Sequence, residues 1–194
     1  MTIQVDHILD AKGLSCPMPI VKTKNKMKEL SPGEVLEVLA TDRASIADIK
    51  AWADSTGEQY LGTIEENNII KHFIRKSREE ETKEPMTFEH LADLEELKDN
   101  MHKSSVTILD VREPAEYAFG HIPKSISIPL GEINQRYNEL DKNKDIYVIC
   151  RTGNRSDYAA KMLAEKGFKN VKNVVPGMIA WTGEVKKLNG GGGK

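Results

Sequence analysis

The 194-residue sequence has little cysteine, no long apolar run and almost no net charge. Two cysteines, Cys16 and Cys150, are too few for a disulfide framework or a four-thiolate zinc site. No segment approaches the roughly 18 consecutive apolar residues of a membrane span, and the first residues lack the basic start and apolar run of a secretion signal. We therefore expect a cytoplasmic protein that does not bind membranes.

Acidic and basic side chains nearly balance. The sequence has 28 lysines and arginines against 30 aspartates and glutamates, a net charge of −2. Proteins that bind duplex nucleic acid carry a strong basic excess, so no nucleic-acid partner is predicted. The apolar fraction of 39% is ordinary for a soluble protein and suffices for a hydrophobic core. A chain of this length is predicted to form one large or two small domains.

A charged segment divides the sequence. Residues 77–86 contain two basic and four acidic side chains, and Pro85 stands near their end. Such a composition cannot bury a core, so we interpret the segment as a solvated linker; a charged helix extension is the alternative. The predicted domains are therefore residues 1–76 and 87–189. Residues 190–194, which are rich in glycine, are interpreted as a flexible tail to which no function is assigned.

Both domains are predicted to be α/β. The first has strand patterns at 7–10, 35–40, 59–64 and 68–74, and helical patterns at 17–30 and 45–57. This βαβαββ order predicts a two-layer α/β sandwich. The second has strand patterns at 106–111, 125–129, 145–150 and 171–175, and an amphipathic helix at 156–167. Strands that alternate with helices predict a doubly wound domain with a parallel sheet.

Cys150 ends a strongly apolar predicted strand. Five residues follow it before the predicted helix: Arg151, Thr152, Gly153, Asn154 and Arg155. A short loop between a strand and a helix turns its backbone N–H groups inward, where they stabilise an anion. A cysteine at the base of such a loop is expected to ionise readily, and the two arginines can hold an anionic substrate. The alternative is a buried structural cysteine beside two surface arginines.

Motifs around this loop resemble the rhodanese domain. They are Leu109-Asp-Val-Arg-Glu-Pro-Ala-Glu-Tyr117, Gly120-His-Ile-Pro123, Cys150-Arg-Thr-Gly-Asn-Arg155 and Val175-Pro-Gly-Met-Ile-Ala-Trp181. The resemblance covers residues 87–189. It implies a doubly wound fold and sulfurtransferase chemistry through a persulfide on Cys150. Met178 departs from the family pattern, which often has a second glycine there, but lies far from the loop in sequence.

The same pattern separates the loop from that of related phosphatases. Those enzymes have His before the cysteine and five residues between it and the arginine, whereas Ile149 precedes Cys150 and four residues separate it from Arg155. A smaller loop suits a single sulfur atom better than a phosphoryl group, so phosphatase activity is not expected. Asp110, Arg112, Glu113 and His121 match mainly structural positions of the rhodanese pattern.

Cys16 precedes the first predicted helix. Pro17 suits a first helical turn, so Cys16 is predicted at the cap position, where the helix dipole favours a thiolate. Lys22 and Lys26 share one side of the helix and would add positive potential. From spacing alone, a cap cysteine without chemistry is the alternative.

The segment resembles the TusA (SirA-like) sulfur-carrier family. The matching features are Leu9-Asp-Ala-Lys-Gly-Leu-Ser-Cys-Pro-Met-Pro19, Pro32-Gly-Glu-Val-Leu-Glu-Val38, Thr41-Asp42 and Ile46-Ala-Asp-Ile49. The resemblance covers residues 5–76 and implies that Cys16 carries a persulfide. Asp42 is interpreted as a structural or recognition residue.

Together the two resemblances imply a sulfurtransferase. Cys150 would take sulfur from thiosulfate or a low-molecular-weight persulfide and pass it to Cys16 for delivery, with a protein acceptor or donor as partner. No metal or organic cofactor is required. The alternative is a sulfur-delivery module whose cysteines are loaded passively by another enzyme.

Overall fold

The computed structural model describes residues 3–77 and 87–188. The chain divides into two compact units, residues 1–78 and 79–194. Apart from Ser77, the predicted linker lies outside the described residues, as does the predicted tail at 190–194. Within the described ranges, no helix is long and apolar enough to cross a membrane.

The N-terminal unit is a four-stranded mixed sheet with two helices. Its elements are β1 (His7–Asp10), α1 (Met18–Met27), β2 (Val35–Ala40), α2 (Ser45–Thr56), β3 (Gln59–Glu66) and β4 (Ile69–Arg75). The strands lie in the order β1-β2-β4-β3. Strand β2 is parallel to β1 and antiparallel to β4, which is also antiparallel to β3. The predicted βαβαββ sandwich is confirmed.

Both helices of this unit cover the sheet with apolar side chains. Met27 of α1 and Ile49 of α2 are buried with Leu36 and Val38 of β2 and Ile74 of β4. Helix α2 ends at Gly57, which adopts φ +77 and donates its N–H to the Ala53 carbonyl, as the sequence predicted. Helix α1 begins later than predicted: Pro17 occupies the cap position, and Cys16 lies one residue before it.

The C-terminal unit is a five-stranded sheet in the order β5-β9-β8-β6-β7. Its elements are β5 (Leu91–Ala92), α3 (Leu94–Asn100), β6 (Val106–Asp110), α4 (Pro114–Phe119), β7 (Ile126–Ser127), α5 (Ile133–Arg136), β8 (Asp145–Ile149), α6 (Asn154–Glu165) and β9 (Val171–Val174). Every strand pair is parallel. The predicted parallel sheet is confirmed, and α6 begins two residues earlier than the predicted helix.

The central strand β8 shows that both faces of this sheet are covered. Ile146 and Val148 are buried in one apolar cluster, whereas Tyr147 and Ile149 are buried in another. Successive side chains of a strand point to opposite faces, so the two clusters lie on opposite sides of the sheet. The doubly wound arrangement therefore brings the carboxyl end of β8, where Cys150 follows, to an edge between two packed layers.

Four short elements were not predicted: β5, α3, α4 and α5. Local capping rather than periodicity defines two of them. Asp93 caps α3 by accepting the Glu96 N–H at 2.7 Å. Glu113 and Glu116 form a capping box at the start of α4, which has Pro114 in its first turn. Helices of six or seven residues are too short to show a convincing apolar repeat.

Candidate active sites

The Cys150 thiol lies at the base of the loop that joins β8 to α6. Cys150 is fully buried; its Sγ accepts a hydrogen bond from the Gly153 N–H at 3.1 Å and lies 3.3 Å from the Ser156 hydroxyl oxygen. Gly153 has φ +100, a left-handed conformation that glycine adopts without a steric penalty. Hydrogen-bond donors this close to a sulfur atom can stabilise negative charge on it. Arg151, Thr152 and Asn154 are half-buried around the same loop.

A second segment holds the backbone of this loop from outside. The Met178 N–H donates to the Cys150 carbonyl at 2.8 Å, and the Ile179 N–H donates to the Arg151 carbonyl at 3.0 Å. Gly177 has φ +85, and a Cβ there would lie 2.6 Å from the Cys150 carbonyl oxygen. Sequence reasoning missed these contacts because they join distant positions through backbone atoms. They also explain why methionine is tolerated at 178, since any residue except proline supplies the N–H.

Arg155 joins helix α6 to helix α4. Its guanidinium donates to both carboxylate oxygens of Glu116, at 2.7 and 3.0 Å, and both side chains are buried. The Glu113 carboxylate lies 3.8 Å away. This bidentate pair fixes the far end of the Cys150 loop. The prediction that Arg155 holds the substrate anion thus competes with a structural role that the buried pair already gives it.

The residues interpreted as structural make structural contacts. Arg112 forms a buried ion pair with Asp110 at 2.6 Å and donates to the Gly120 carbonyl at 2.7 Å. The His121 ring stacks on Tyr117 at a centroid distance of 3.8 Å. Its Nδ1 lies 2.9 Å from the Tyr117 carbonyl oxygen, so it donates there as an N–H. These contacts close the turn that follows α4.

Cys16 has the opposite surroundings. It is exposed, and its backbone N–H donates to the Asp42 carboxylate at 3.4 Å. The pKa of the Cys16 thiol is raised, first because the thiol hydrogen-bonds to Asp48, and further by partial loss of hydration and by the charges of Asp48 and Asp42. Our expectation of a favoured thiolate is therefore wrong. Lys26 does not supply the predicted positive potential, because it pairs with Glu29 at 2.8 Å.

A buried hydrogen-bonded chain supports the loop that carries Asp42. Ser45 Oγ donates to the Asp42 carbonyl at 2.6 Å, so it accepts from Nε2–H of His72 at 2.9 Å. Nδ1 of His72 must then accept from the Tyr60 hydroxyl, also at 2.9 Å. His72 is fully buried, and this burial lowers its pKa to about 4. The neutral histidine thus completes a polar network inside the N-terminal unit.

Sequence reasoning missed the Asp48 carboxylate near Cys16 and the Ser156 hydroxyl near Cys150. In the sequence, Asp48 appears only as one residue of the Ile46–Ile49 motif. In the structure it lies in the first turn of α2 and hydrogen-bonds to the Cys16 thiol. The sequence pattern marks Ser156 only as the start of a helix and gives no sign of its contact with Cys150. Among residues 3–77 and 87–188, no group of three or more histidine, cysteine or carboxylate side chains is placed to hold a metal ion.

Two family models match the two units. The model described as "Rhodanese-like domain" matches residues 93–184, and the model described as "Sulfurtransferase TusA" matches residues 7–76. The fold and the two family models together define the class of the protein: a sulfur-transfer protein in which a TusA-like domain precedes a rhodanese-like domain.

Individual relatives agree with this class. The chain is 52% identical to YrkF of Bacillus subtilis (strain 168) over 180 residues, which cover 92% of this chain and 97% of that protein. It therefore belongs to the family of two-domain TusA–rhodanese proteins, a family of sulfur carriers and sulfurtransferases.

Two further relatives are each similar to part of this chain. The "Sulfur carrier protein TusA" of Allochromatium vinosum is 42% identical over 72 residues, which cover 37% of this chain and 95% of that protein. Among solved structures, a rhodanese-related protein from Thermoplasma volcanium is 35% identical, covers 50% of this chain and 97% of that chain, and gives a TM-score of 0.47.

Proposed function

We propose that Cys150 takes sulfane sulfur from thiosulfate or a low-molecular-weight persulfide and relays it to Cys16, which delivers it to an acceptor protein. The observation that carries this proposal is the contrast between the two thiols. Cys150 is buried among hydrogen-bond donors, whereas Cys16 is exposed at a helix start. The first environment suits a nucleophile for a small anion, and the second suits a carrier that other proteins must reach.

In the first step, the Cys150 thiolate attacks the outer sulfur of thiosulfate. A new S–S bond forms, the S–S bond of thiosulfate breaks, and sulfite leaves with the electron pair. The Gly153 N–H, 3.1 Å from Sγ, holds the thiolate before attack. Because Cys150 is buried, only a small donor can enter. The added sulfur stands about 2 Å further out, the length of an S–S bond, and is easier for an acceptor to reach.

In the second step, the Cys16 thiolate attacks the terminal sulfur of the Cys150 persulfide. The terminal sulfur bonds to Cys16, and the electron pair of the broken bond returns to Cys150 Sγ. The raised pKa of Cys16 leaves little thiolate at neutral pH, so this step is expected to accelerate as the pH rises. Joining both domains in one chain raises their effective concentration towards the millimolar range.

The first test separates the two cysteines. Cys150→Ser should abolish thiosulfate:cyanide sulfurtransferase activity, whereas Cys16→Ser should retain most of it, because only Cys150 has the inward-facing donors. Circular dichroism melts of both variants check that the fold is kept. Equal losses of activity in the two variants would contradict the assignment.

The second test follows the relay. Wild type and Cys150→Ser are treated with limiting thiosulfate, and added sulfur is mapped by peptide mass. Sulfur on Cys16 should require Cys150, and equal loading of Cys16 in both proteins would rule out the relay. Mixing Cys150→Ser with Cys16→Ser then asks whether transfer runs within one chain. An intramolecular route is supported if the rate at which sulfur appears on Cys16 does not depend on protein concentration in wild type but does depend on it in the mixture of the two variants.

The exposure of Cys16 also suits the alternative, a delivery module loaded by another enzyme. That module would show no turnover of its own with thiosulfate or with low-molecular-weight persulfides. It would still accept sulfur on Cys16 from a partner protein when Cys150 is replaced by serine. The activity assay above therefore distinguishes the two functions.

A further inference from the structure

A buried hydroxyl lies beside the sulfur of Cys150. Ser156 is in the first turn of α6, is fully buried, and places Oγ 3.3 Å from Cys150 Sγ. Two further acceptors surround the same hydroxyl: Asn173 Oδ1 at 2.6 Å and the Gly153 carbonyl at 3.0 Å. A serine hydroxyl has one proton to donate. The Ser156 proton can therefore bond to only one of three acceptors at a time, and one of these acceptors, Cys150 Sγ, is the reacting atom.

The orientation of Asn173 defines where that proton rests. Its Nδ2 donates to the Gly153 carbonyl at 3.1 Å, so its Oδ1 faces Ser156 as an acceptor. The contact with Oδ1 is the shortest of the three and holds the proton while the sulfur is uncharged. Rotation about the Cβ–Oγ bond of Ser156 redirects the proton to Sγ without moving any heavy atom. The hydroxyl can thus respond to a change of charge on the sulfur.

We infer that Ser156 is a catalytic residue of sulfur transfer, whose hydroxyl donates to Asn173 while Sγ is uncharged and turns to Sγ when Sγ gains negative charge. The inference rests on the proposed function, since it assumes that Cys150 is the nucleophile. It assigns Ser156 a role in releasing sulfur from Cys150 rather than in accepting it.

The charge on Sγ changes in opposite directions in the two half-reactions. During loading from thiosulfate, Sγ begins as a thiolate and loses its charge as the new S–S bond forms and sulfite leaves. During unloading to cyanide, the carbon bonds to the terminal sulfur, the S–S bond breaks, and its electron pair passes to Sγ as thiocyanate departs. A donor to Sγ therefore lowers the barrier to unloading, whereas in loading it stabilises the reactant.

The test measures each half-reaction in single turnover, in the full chain with Cys16→Ser, so that sulfur resides on Cys150 alone. Loading is followed by sulfite release and intact mass, and unloading by thiocyanate formed after excess thiosulfate is removed. Ser156→Ala should slow unloading about tenfold, near the lower end for a hydrogen bond to a charged group. Loading should not slow by more than about threefold, because in loading the lost hydrogen bond stabilises the reactant, the Cys150 thiolate, and not the transition state.

A matched pair of variants separates the hydroxyl from the shape of the side chain. Threonine and valine have the same shape, and only threonine has the hydroxyl. Ser156→Thr should unload about tenfold faster than Ser156→Val, with similar loading rates in both. This comparison remains decisive if Ser156→Ala fails to fold.

Three outcomes are informative. Slow unloading with near-normal loading, together with faster unloading by threonine than by valine, supports the inference. Equal slowing of both half-reactions, or equal unloading by the threonine and valine variants, overturns it and leaves Ser156 a structural residue. If the parent with Ser156 intact takes up no sulfur from any donor, the proposed function itself has failed.

Discussion

The buried His72 makes the stability of the N-terminal unit depend on pH. Its pKa is lowered to about 4 from an ordinary value of 6.5, because the ring is buried away from water. Between these two pH values, the unfolded chain binds a proton that the folded chain does not. The contribution is therefore complete above pH 6.5 and is lost as the pH falls towards 4.

The size of the effect follows from the two pKa values. A shift from 6.5 to about 4 corresponds to a loss of about 2 kcal/mol at pH 5 and about 3 kcal/mol at pH 4, relative to pH 7.5. Stabilities of small proteins are about 5–15 kcal/mol, so this loss is readily measured by urea unfolding.

The chain offers a convenient probe for this measurement. Its two tryptophans are Trp52 on α2 and Trp181 in the C-terminal unit. In the full chain with Trp181→Phe, fluorescence therefore reports the unit that contains His72. The control is His72→Gln in the same background, which keeps hydrogen-bonding groups at the position but does not titrate. The difference in unfolding free energy between pH 7.5 and pH 5 should be about 2 kcal/mol larger with histidine. Equal pH dependence in both proteins would refute the reasoning.

The two cysteine sites give further predictions. Asp48→Asn should lower the pKa of Cys16, because the largest cause of its elevation is removed, and the midpoint of alkylation by iodoacetamide should move to lower pH. Gly177→Ala should lower thiosulfate:cyanide activity about tenfold or more, since its Cβ would lie 2.6 Å from the Cys150 carbonyl oxygen and displace the loop. Arg155→Ala should slow alkylation of Cys150 and thiosulfate turnover by similar factors, because breaking a buried ion pair costs about 3–5 kcal/mol and releases the loop.

Each of these predictions has a matched control. Asp54→Asn removes an exposed carboxylate of the same helix that pairs with Lys50, and should leave Cys16 unchanged. Gly131→Ala adds a Cβ with no atom within 4 Å and should keep activity. Arg136→Ala removes two surface ion pairs, with Glu132 and Glu139, and should leave Cys150 alkylation and thiosulfate turnover unchanged. The first prediction fails if Asp48→Asn leaves the alkylation midpoint of Cys16 unchanged. The second fails if Gly177→Ala keeps its sulfurtransferase activity. The third fails if Arg155→Ala slows thiosulfate turnover but not the alkylation of Cys150.

Apolar patterns predicted the fold well because burial is repeated along each long element. The β2 strand at Val35–Ala40 and the glycine end of α2 were predicted at the residues where they occur. Short elements such as α4 lack enough repeats, and their caps depend on side-chain contacts that no local pattern reveals. The existence of two cysteine loops was therefore predictable, whereas the full length of each helix was not.

Electrostatics was harder to predict than topology. Sequence spacing placed Lys22 and Lys26 near Cys16, yet the fold brings the carboxylates of Asp42 and Asp48 there instead, across 26 positions in the case of Asp42. Lys26 pairs with Glu29 on its own helix, whereas Asp48 lies in the first turn of α2 and contacts the Cys16 thiol. The sign of the electrostatic potential at Cys16 thus depends on side chains that are distant in sequence and that only the fold brings near the thiol.

The hydrogen bonds from Met178 and Ile179 have a consequence for the shape of the Cys150 loop. They occupy the carbonyl oxygens of Cys150 and Arg151 from outside, at 2.8 and 3.0 Å. A flip of either peptide group would turn its carbonyl oxygen towards the sulfur and break the hydrogen bond from Met178 or Ile179. The loop is thereby held in one orientation, and if Cys150 carries sulfur as proposed, we expect its bare and sulfur-loaded states to share one backbone. Sulfur can then enter and leave without the free-energy cost of reshaping its binding site.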